Sequence, residues 1–228
     1  MVDDRLFCTD QPAIRKRLSP WSCFSEWSGV RFEQLRELYR ATAGRPGVVH
    51  ALHGVPTLEG GTYTVDLVPV GLQSGDLLCV TEDETRHMVH GVLHGLAAIH
   101  QAGFVHRDLR WDNLARCHSG RRWFLIDLES CAPADEEPVA GFEPAGWLPD
   151  TTLVGGRYTF ASDLYQLGRV VLDKCGPLVS SAEGRAFMEA ILTRPAAQQR
   201  SAADLLSLEW LRCQGPSCGA AGAQPHER

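Results

Sequence analysis

The chain has 228 residues, 44% hydrophobic and 22% charged, an ordinary globular balance with length for one large domain or two small ones sharing a cleft. A formal net charge of −6 and a pI near 5.8 argue against nucleic acid as a main partner. No apolar run reaches the ~18 residues of a membrane span, the start Met-Val-Asp-Asp-Arg has no hydrophobic signal region, and none of the eight cysteines forms a C-x-x-C pair, so no membrane partner and reduced thiols in the cytoplasm, or the nucleus, are expected.

Two short strands open the chain, 5–8 and 13–18, with a turn over 9–12. Residues 20–29 read as a loop anchored by Trp21, Phe24 and Trp27. Phe32, Leu35, Leu38 and Tyr39 share one helical face, predicting a helix over 30–43 that ends at Gly44 and Pro46. Strands over 48–52 and 62–68 follow, joined by a turn around Glu59-Gly-Gly61. The strongest helix spans 85–101, with Met88, Val89, Val92, Leu93, Leu96 and Ile99 on its apolar face and Thr81 or Asp83 as cap. His87, His90 and His94 lie mostly off that face; their spacing would suit a metal, but a solvated face is the better reading. Further helices are expected over 162–172, 182–192 and 202–211, and a disordered tail over 213–228.

The chemistry concentrates in Phe104-Val-His-Arg-Asp-Leu-Arg-Trp-Asp-Asn113 and Trp123-Phe-Leu-Ile-Asp127. Each Asp that could act, Asp108 and Asp127, follows apolar residues that read as buried strand, and Asn113 stands five residues after Asp108. An Asx-capped turn would account for Asp108 and Asn113 alone, but not for the second Asp after a second apolar run. One carboxylate to orient a hydroxyl, with an amide oxygen and another carboxylate to hold a hard divalent cation, is a layout for ATP and Mg²⁺.

His106 to Asn113 satisfies H-R-D-L-x-x-x-N at every fixed position, and the chain resembles the catalytic core of the protein-kinase superfamily. That resemblance implies an α+β, bilobal fold: a reduced first lobe over 1–68, a mainly helical second lobe over 69–212, and a cleft between them. It makes Asp108 the catalytic-loop base, Asn113 and Asp127 the Mg²⁺ ligands, and Arg110 the group facing the transferred phosphate where the family usually has Lys. Asp127-Leu128-Glu129 stands in place of D-F-G, so Glu129 replaces a glycine and backbone freedom there is reduced. The ending Ile126-Asp-Leu-Glu129 also resembles small-molecule kinases of the aminoglycoside and choline type. Trp147-Leu-Pro-Asp150 resembles A-P-E, with Arg200 as the partner of Asp150, and Asp163 resembles the residue that anchors the catalytic loop through backbone N–H groups.

In the first half, Pro12-Ala-Ile-Arg-Lys16 resembles the V-A-I-K strand; strict register favours Arg15, residue type favours Lys16. Glu37 best fits the glutamate that pairs with this lysine, with Glu33 as the alternative. Val65-Asp66-Leu67-Val68 resembles the hinge, whose backbone at Asp66 and Val68 would meet adenine. No G-x-G-x-x-G precedes Lys16, so the roof over the nucleotide is shortened or absent. The acidic run Asp135-Glu-Glu137 either mimics a phosphate beside Arg107 or is a solvated loop, and Ser130, Thr151 and Thr152 are alternative phosphorylation sites. The resemblance thus implies an ATP- and Mg²⁺-dependent kinase of protein Ser/Thr hydroxyls. The alternatives are a pseudokinase acting as a binding module and a small-molecule kinase. A partner protein that completes the first lobe is compatible with the first two.

Overall fold

The computed structural model describes residues 5–7, 12–19, 28–73, 79–117, 121–134, 136 and 149–212. The expected anchors Trp21, Phe24 and Trp27, the residues Trp147 and Leu148, the acids Asp135 and Glu137, and the tail 213–228 lie outside the described residues, as does the side chain of Asp150. In chain order the elements are β1 (Arg5–Phe7), β2 (Ala13–Leu18), α1 (Ser28–Thr42), β3 (His50–Ala51), β4 (Thr57–Glu59), β5 (Thr62–Val68), β6 (Gly71–Gln73) and α2 (Glu82–Gln101). After α2 come β7 (Phe104–Val105), β8 (Leu114–Cys117), β9 (Trp123–Leu125), β10 (Ala132–Pro133), α3 (Pro149–Thr152), α4 (Phe160–Cys175), α5 (Ala182–Ile191), α6 (Ala202–Leu206) and α7 (Glu209–Arg212). The architecture is α+β, with small antiparallel sheets and a larger helical part.

β5 is the spine of the first sheet. β2 pairs with it on one side, from Ile14↔Leu67 to Leu18↔Tyr63, and β3 and β4 pair on the other. Its side chains alternate as a half-buried strand requires: Tyr63, Val65 and Leu67 are buried, Thr62, Thr64 and Asp66 only partly so. The turn at Glu59-Gly-Gly61 joins β4 to β5 rather than 48–52 to β5, because residues 57–59 themselves extend and pair with 62–64. Both glycines there have positive φ, 54° and 75°, which suits so tight a reversal.

Helix α2 is the element against which the rest is assembled. Thr81 caps it by accepting the Glu84 N–H, and Glu82, Asp83 and Glu84 place negative charge at its positive end. Met88, Val89, Val92, Leu93, Leu96 and Ile99 are all fully buried, as the periodicity predicts. Gly91 and Gly95 leave a flat strip on this helix. A Cβ on Gly95 would lie 2.0 Å from the Gly47 carbonyl oxygen, and one on Gly91 would lie 2.5 Å from the Trp123 carbonyl oxygen. The connection after α1 and the strand β9 both press onto this strip. They bond each other as well: Leu125 N–H donates to Gly47 O at 2.9 Å, and Val49 N–H to Leu125 O at 2.8 Å. The strand that delivers Asp127 is thereby fixed to the first sheet.

The helix expected over 202–211 is two short helices broken at Ser207, whose hydroxyl caps back onto the Asp204 carbonyl oxygen at 2.6 Å. No helix among the described residues is long and apolar enough to cross a membrane.

Candidate active site

Arg15 and Lys16 are consecutive on β2 and so face opposite sides of the sheet. Arg15 meets its cross-strand partner Asp66 in a bidentate pair, at 2.6 and 2.7 Å. Lys16 turns the other way; its Nζ lies 2.5 Å from Asp127 Oδ1 and 2.8 Å from Glu129 Oε2. Of the two candidates left open by the sequence, Lys16 is therefore the one brought to Asp127. Its side chain is only 17% exposed, and although burial opposes the charge, the two carboxylates raise its pKa.

Asp127, two residues after β9, has φ 64°, in the left-handed region that Asp tolerates better than most residues. Burial works against its charge, but the Lys16 ammonium holds its pKa down to about 2. Glu129 follows within a short 3-10 turn. It is buried, which pushes its carboxyl up; Lys16 opposes that shift, and Tyr63 Oη donates to its other oxygen at 2.5 Å. Tyr39 of α1 is fully buried beside Tyr63. Sequence reasoning took Glu129 only as a replaced glycine, without its contact to Lys16, and missed Tyr63. The available signals were an acid beside a fully buried Leu128 and a Tyr on the inward period of β5.

The loop after β7 carries Asp108. Asp163 of α4, with no exposure at all, accepts the backbone N–H of His106 at 2.8 Å and of Arg107 at 3.1 Å. Tyr158 Oη and His100 Nε2 complete its shell at 2.9 Å each. These bonds sustain Arg107 at φ 68°, a strained value for a residue with a side chain. Asn113 Nδ2 then donates to the Asp108 carbonyl oxygen at 2.8 Å and to its Oδ2 at 2.9 Å, leaving Oδ1 of the amide as an acceptor. Ile126 N–H donates to Asn113 O, and His106 Nε2 lies 3.1 Å from Ile126 O, so the two acidic segments are tied together. Arg110 Nε is 3.5 Å from Asp108 Oδ2, and its side chain is 44% exposed.

Other expected residues are placed differently. Glu37 is exposed on α1, and Glu33 is exposed and bound to Arg36 at 2.9 Å; neither reaches Lys16, because α1 buries Leu35, Leu38 and Tyr39 instead. Asp66 and Val68 do not offer a free hinge edge. The Asp66 carbonyl oxygen accepts the Leu52 N–H at 2.7 Å, and Val68 is paired with His50, since β5 is an interior strand. Glu136 meets Arg31 of α1 at 3.1 Å, while Arg107 Nε donates to Ser130 O at 2.8 Å. Thr152 is buried, with its carbonyl oxygen taken by the Ser162 hydroxyl, which removes it from the accessible phosphorylation sites. Arg200 is exposed. His87, His90 and His94 are half-buried rather than solvated; with His50, Arg45 and Trp123 they line a cavity of about 530 Å³ that none of Lys16, Asp108, Asn113 or Asp127 touches.

No protein-family model matches the chain. It is similar to Crinkler effector protein 8 of Phytophthora infestans, 33% identical over 82 residues, covering 35% of this chain and 14% of that protein. It is similar to mitogen-activated protein kinase 12 of Homo sapiens, 32% over 94 residues, covering 40% and 25%. It is also similar to a calcium and calcium/calmodulin-dependent serine/threonine-protein kinase of Lilium longiflorum, 26% over 154 residues, covering 63% and 29%. The chain thus spans less than a third of the length of each of these relatives. At modest identity and partial coverage, these likenesses point to a protein-kinase-like domain.

Proposed function

We propose that the chain is an ATP- and Mg²⁺-dependent phosphotransferase acting on Ser or Thr hydroxyls of a protein. The observation that carries this reading is one cluster: Lys16 on Asp127 at 2.5 Å, with Asn113 holding Asp108 at 2.9 Å and the two acidic segments bonded together at Ile126. In this reading residues 1–68 and 69–212 are two lobes around a cleft, and the protein works in the cytoplasm.

Asp108 accepts the proton of the attacking hydroxyl. Asn113 holds that carboxylate in place through Nδ2 and keeps its amide oxygen for a cation, with Asp127 supplying a carboxylate. This is a hard-oxygen donor set that fits Mg²⁺. Held by Asn113 and Asp127, that ion would supply charge neutralisation to the phosphates. Lys16 would pair with the phosphates in place of Asp127, and Arg110, 3.5 Å from Asp108, would supply positive charge to the transferring group. The preference for Ser or Thr rests on that basic residue.

The engagement of the Asp66 and Val68 backbone by Leu52 and His50 favours a second reading, a nucleotide-poor binding module or one completed by a partner protein. Thermal unfolding with and without Mg-ATP separates the two. Nucleotide at 100 times its dissociation constant stabilises by about 2.7 kcal/mol, or roughly 5–10 °C for a chain of this size. The expected result is a Mg²⁺-dependent shift that is lost in Asp127→Asn and kept in Asp108→Asn, the latter having transfer reduced by about 10²–10⁴-fold. No shift in the wild type at millimolar Mg-ATP would hand the lead to the binding-module reading.

A further inference from the structure

We propose that Glu129 is the positioning residue for Lys16, in place of any carboxylate on α1, so that the lysine is set by the same short turn that carries Asp127. This rests on the phosphotransferase reading for the use of Lys16, and on geometry alone for its partner. Among the described residues the lysine has two carboxylate neighbours. One of them, Asp127, is the group assigned to a cation, and a cation there displaces a second positive charge from the same oxygens. Glu129 is the anchor that remains. Its side chain is 10% exposed, against 31% for Asp127, so its attraction for the ammonium is less screened by water.

Glu129 is also built to hold still. One oxygen faces Lys16 and the other receives Tyr63 Oη, and Tyr63 is itself completely buried between α1 and the sheet, edge-on to Phe32. A carboxylate with both oxygens engaged in a packed pocket keeps one orientation, which is what a positioning group needs. Helix α1 offers no competitor, since Glu33 and Glu37 are on its exposed side. Displacing α1 therefore takes no carboxylate away from Lys16, whereas displacing the turn at 127–130 breaks the lysine anchor and moves the cation ligand together.

The chain contains two lysines, Lys16 and Lys174, so amine acylation followed by peptide mass spectrometry reads Lys16 directly, with the 47%-exposed Lys174 as internal standard. In the full chain without nucleotide, Glu129→Gln is expected to raise the Lys16 rate relative to Lys174 by about tenfold. Tyr63→Phe, which keeps the ring and frees one Glu129 oxygen, is expected to raise it less, and guards against a Glu129 variant that fails to fold. ATP affinity measured with a fluorescent nucleotide should fall about tenfold in Glu129→Gln, and Lys16→Met should add little to that loss. Unchanged Lys16 reactivity in Glu129→Gln overturns the proposal, as does additivity of the two substitutions. So does a rise in Glu37→Ala as large as in Glu129→Gln, which would return the lysine's partner to the helix. If Lys16 reactivity rises but the wild type binds no nucleotide, the Glu129–Lys16 pairing stands and the phosphotransferase reading fails.

Discussion

Replacing Asp163 with Asn tests how the catalytic loop is held. Four donors converge on the carboxylate: His106 N–H and His100 Nε2 on Oδ2, Arg107 N–H and Tyr158 Oη on Oδ1. An amide of the same shape has one oxygen and one NH₂. Whichever way it is turned, the NH₂ faces a backbone N–H, either of His106 or of Arg107. His100 can change tautomer, and Tyr158 can turn to Gln166 Oε1, 2.7 Å away, but a backbone N–H has no alternative. One buried donor is therefore orphaned, at about 1–3 kcal/mol, and charge-assisted bonds become neutral ones, at about 1 kcal/mol more. The total of roughly 2–4 kcal/mol corresponds to a loss of roughly 4–16 °C in Tm. Thermal unfolding by circular dichroism measures it, with backbone amide exchange at 106–107 as the local readout. A Tm within about 1 °C of the wild type and unchanged exchange there would refute the idea that Asp163 sustains the strained Arg107 backbone.

Glu82 joins the start of α2 to the start of α5 and to α7, accepting Ser180 N–H at 3.0 Å, Ser181 N–H at 3.1 Å and Trp210 Nε1 at 2.9 Å. Burial works against its charge, yet the bonds from Ser181 and Ser180 bring its pKa down to about 2. A carboxyl lowered on folding stabilises fully above its unfolded pKa, so this contribution should fade as pH falls from about 4.5 toward 2; Glu82→Gln should lose about 1 kcal/mol at pH 7 and show less of the acid decline in urea titrations. Gly95→Ala places a methyl 2.0 Å from the Gly47 carbonyl oxygen; a loss of about 1–3 kcal/mol or more is expected, with Trp fluorescence reporting displacement of β9 at Trp123.

Features that depend on near neighbours in the chain were legible in the sequence. Asp108 and Asn113 stand out by their five-residue spacing, and the bond between them closes within that one loop. The apolar face of α2 is a property of its own periodicity. Features that depend on which strand lies alongside were not. Arg15 and Lys16 differ only in the side of β2 they face, and that side is decided by β5 and by the turn after β9. The assignment of Glu37 fails for a reason the sequence did contain. Residues two apart on a helix are separated by about 200°, so with Leu35 and Tyr39 facing the core, Glu37 faces away. The hinge reading failed because β5 is flanked on both sides, and no property of Val65-Asp66-Leu67-Val68 reveals how many neighbours it has.

The glutamate at position 129 also changes what the Asp127-Leu128-Glu129 turn requires of its backbone. A glycine is needed where φ must be positive, and a side chain at such a site is strained. Here the positive φ belongs to Asp127, at 64°, while Leu128–Ser130 form a right-handed 3-10 turn that accepts any L residue. Asp is among the residues that enter the left-handed region at low cost, because its short side chain bonds locally. The strain is thus carried by the residue whose carboxylate must point back toward Lys16, and position 129 is free to bear a side chain. The expected stiffening from losing glycine is a gain at this site: Leu128 is fully buried, Glu129 is locked by Lys16 and Tyr63, and Ser130 O is held by Arg107. A turn pinned at three consecutive residues keeps the Asp127 carboxylate and the Lys16 ammonium in register without help from the glutamates of α1.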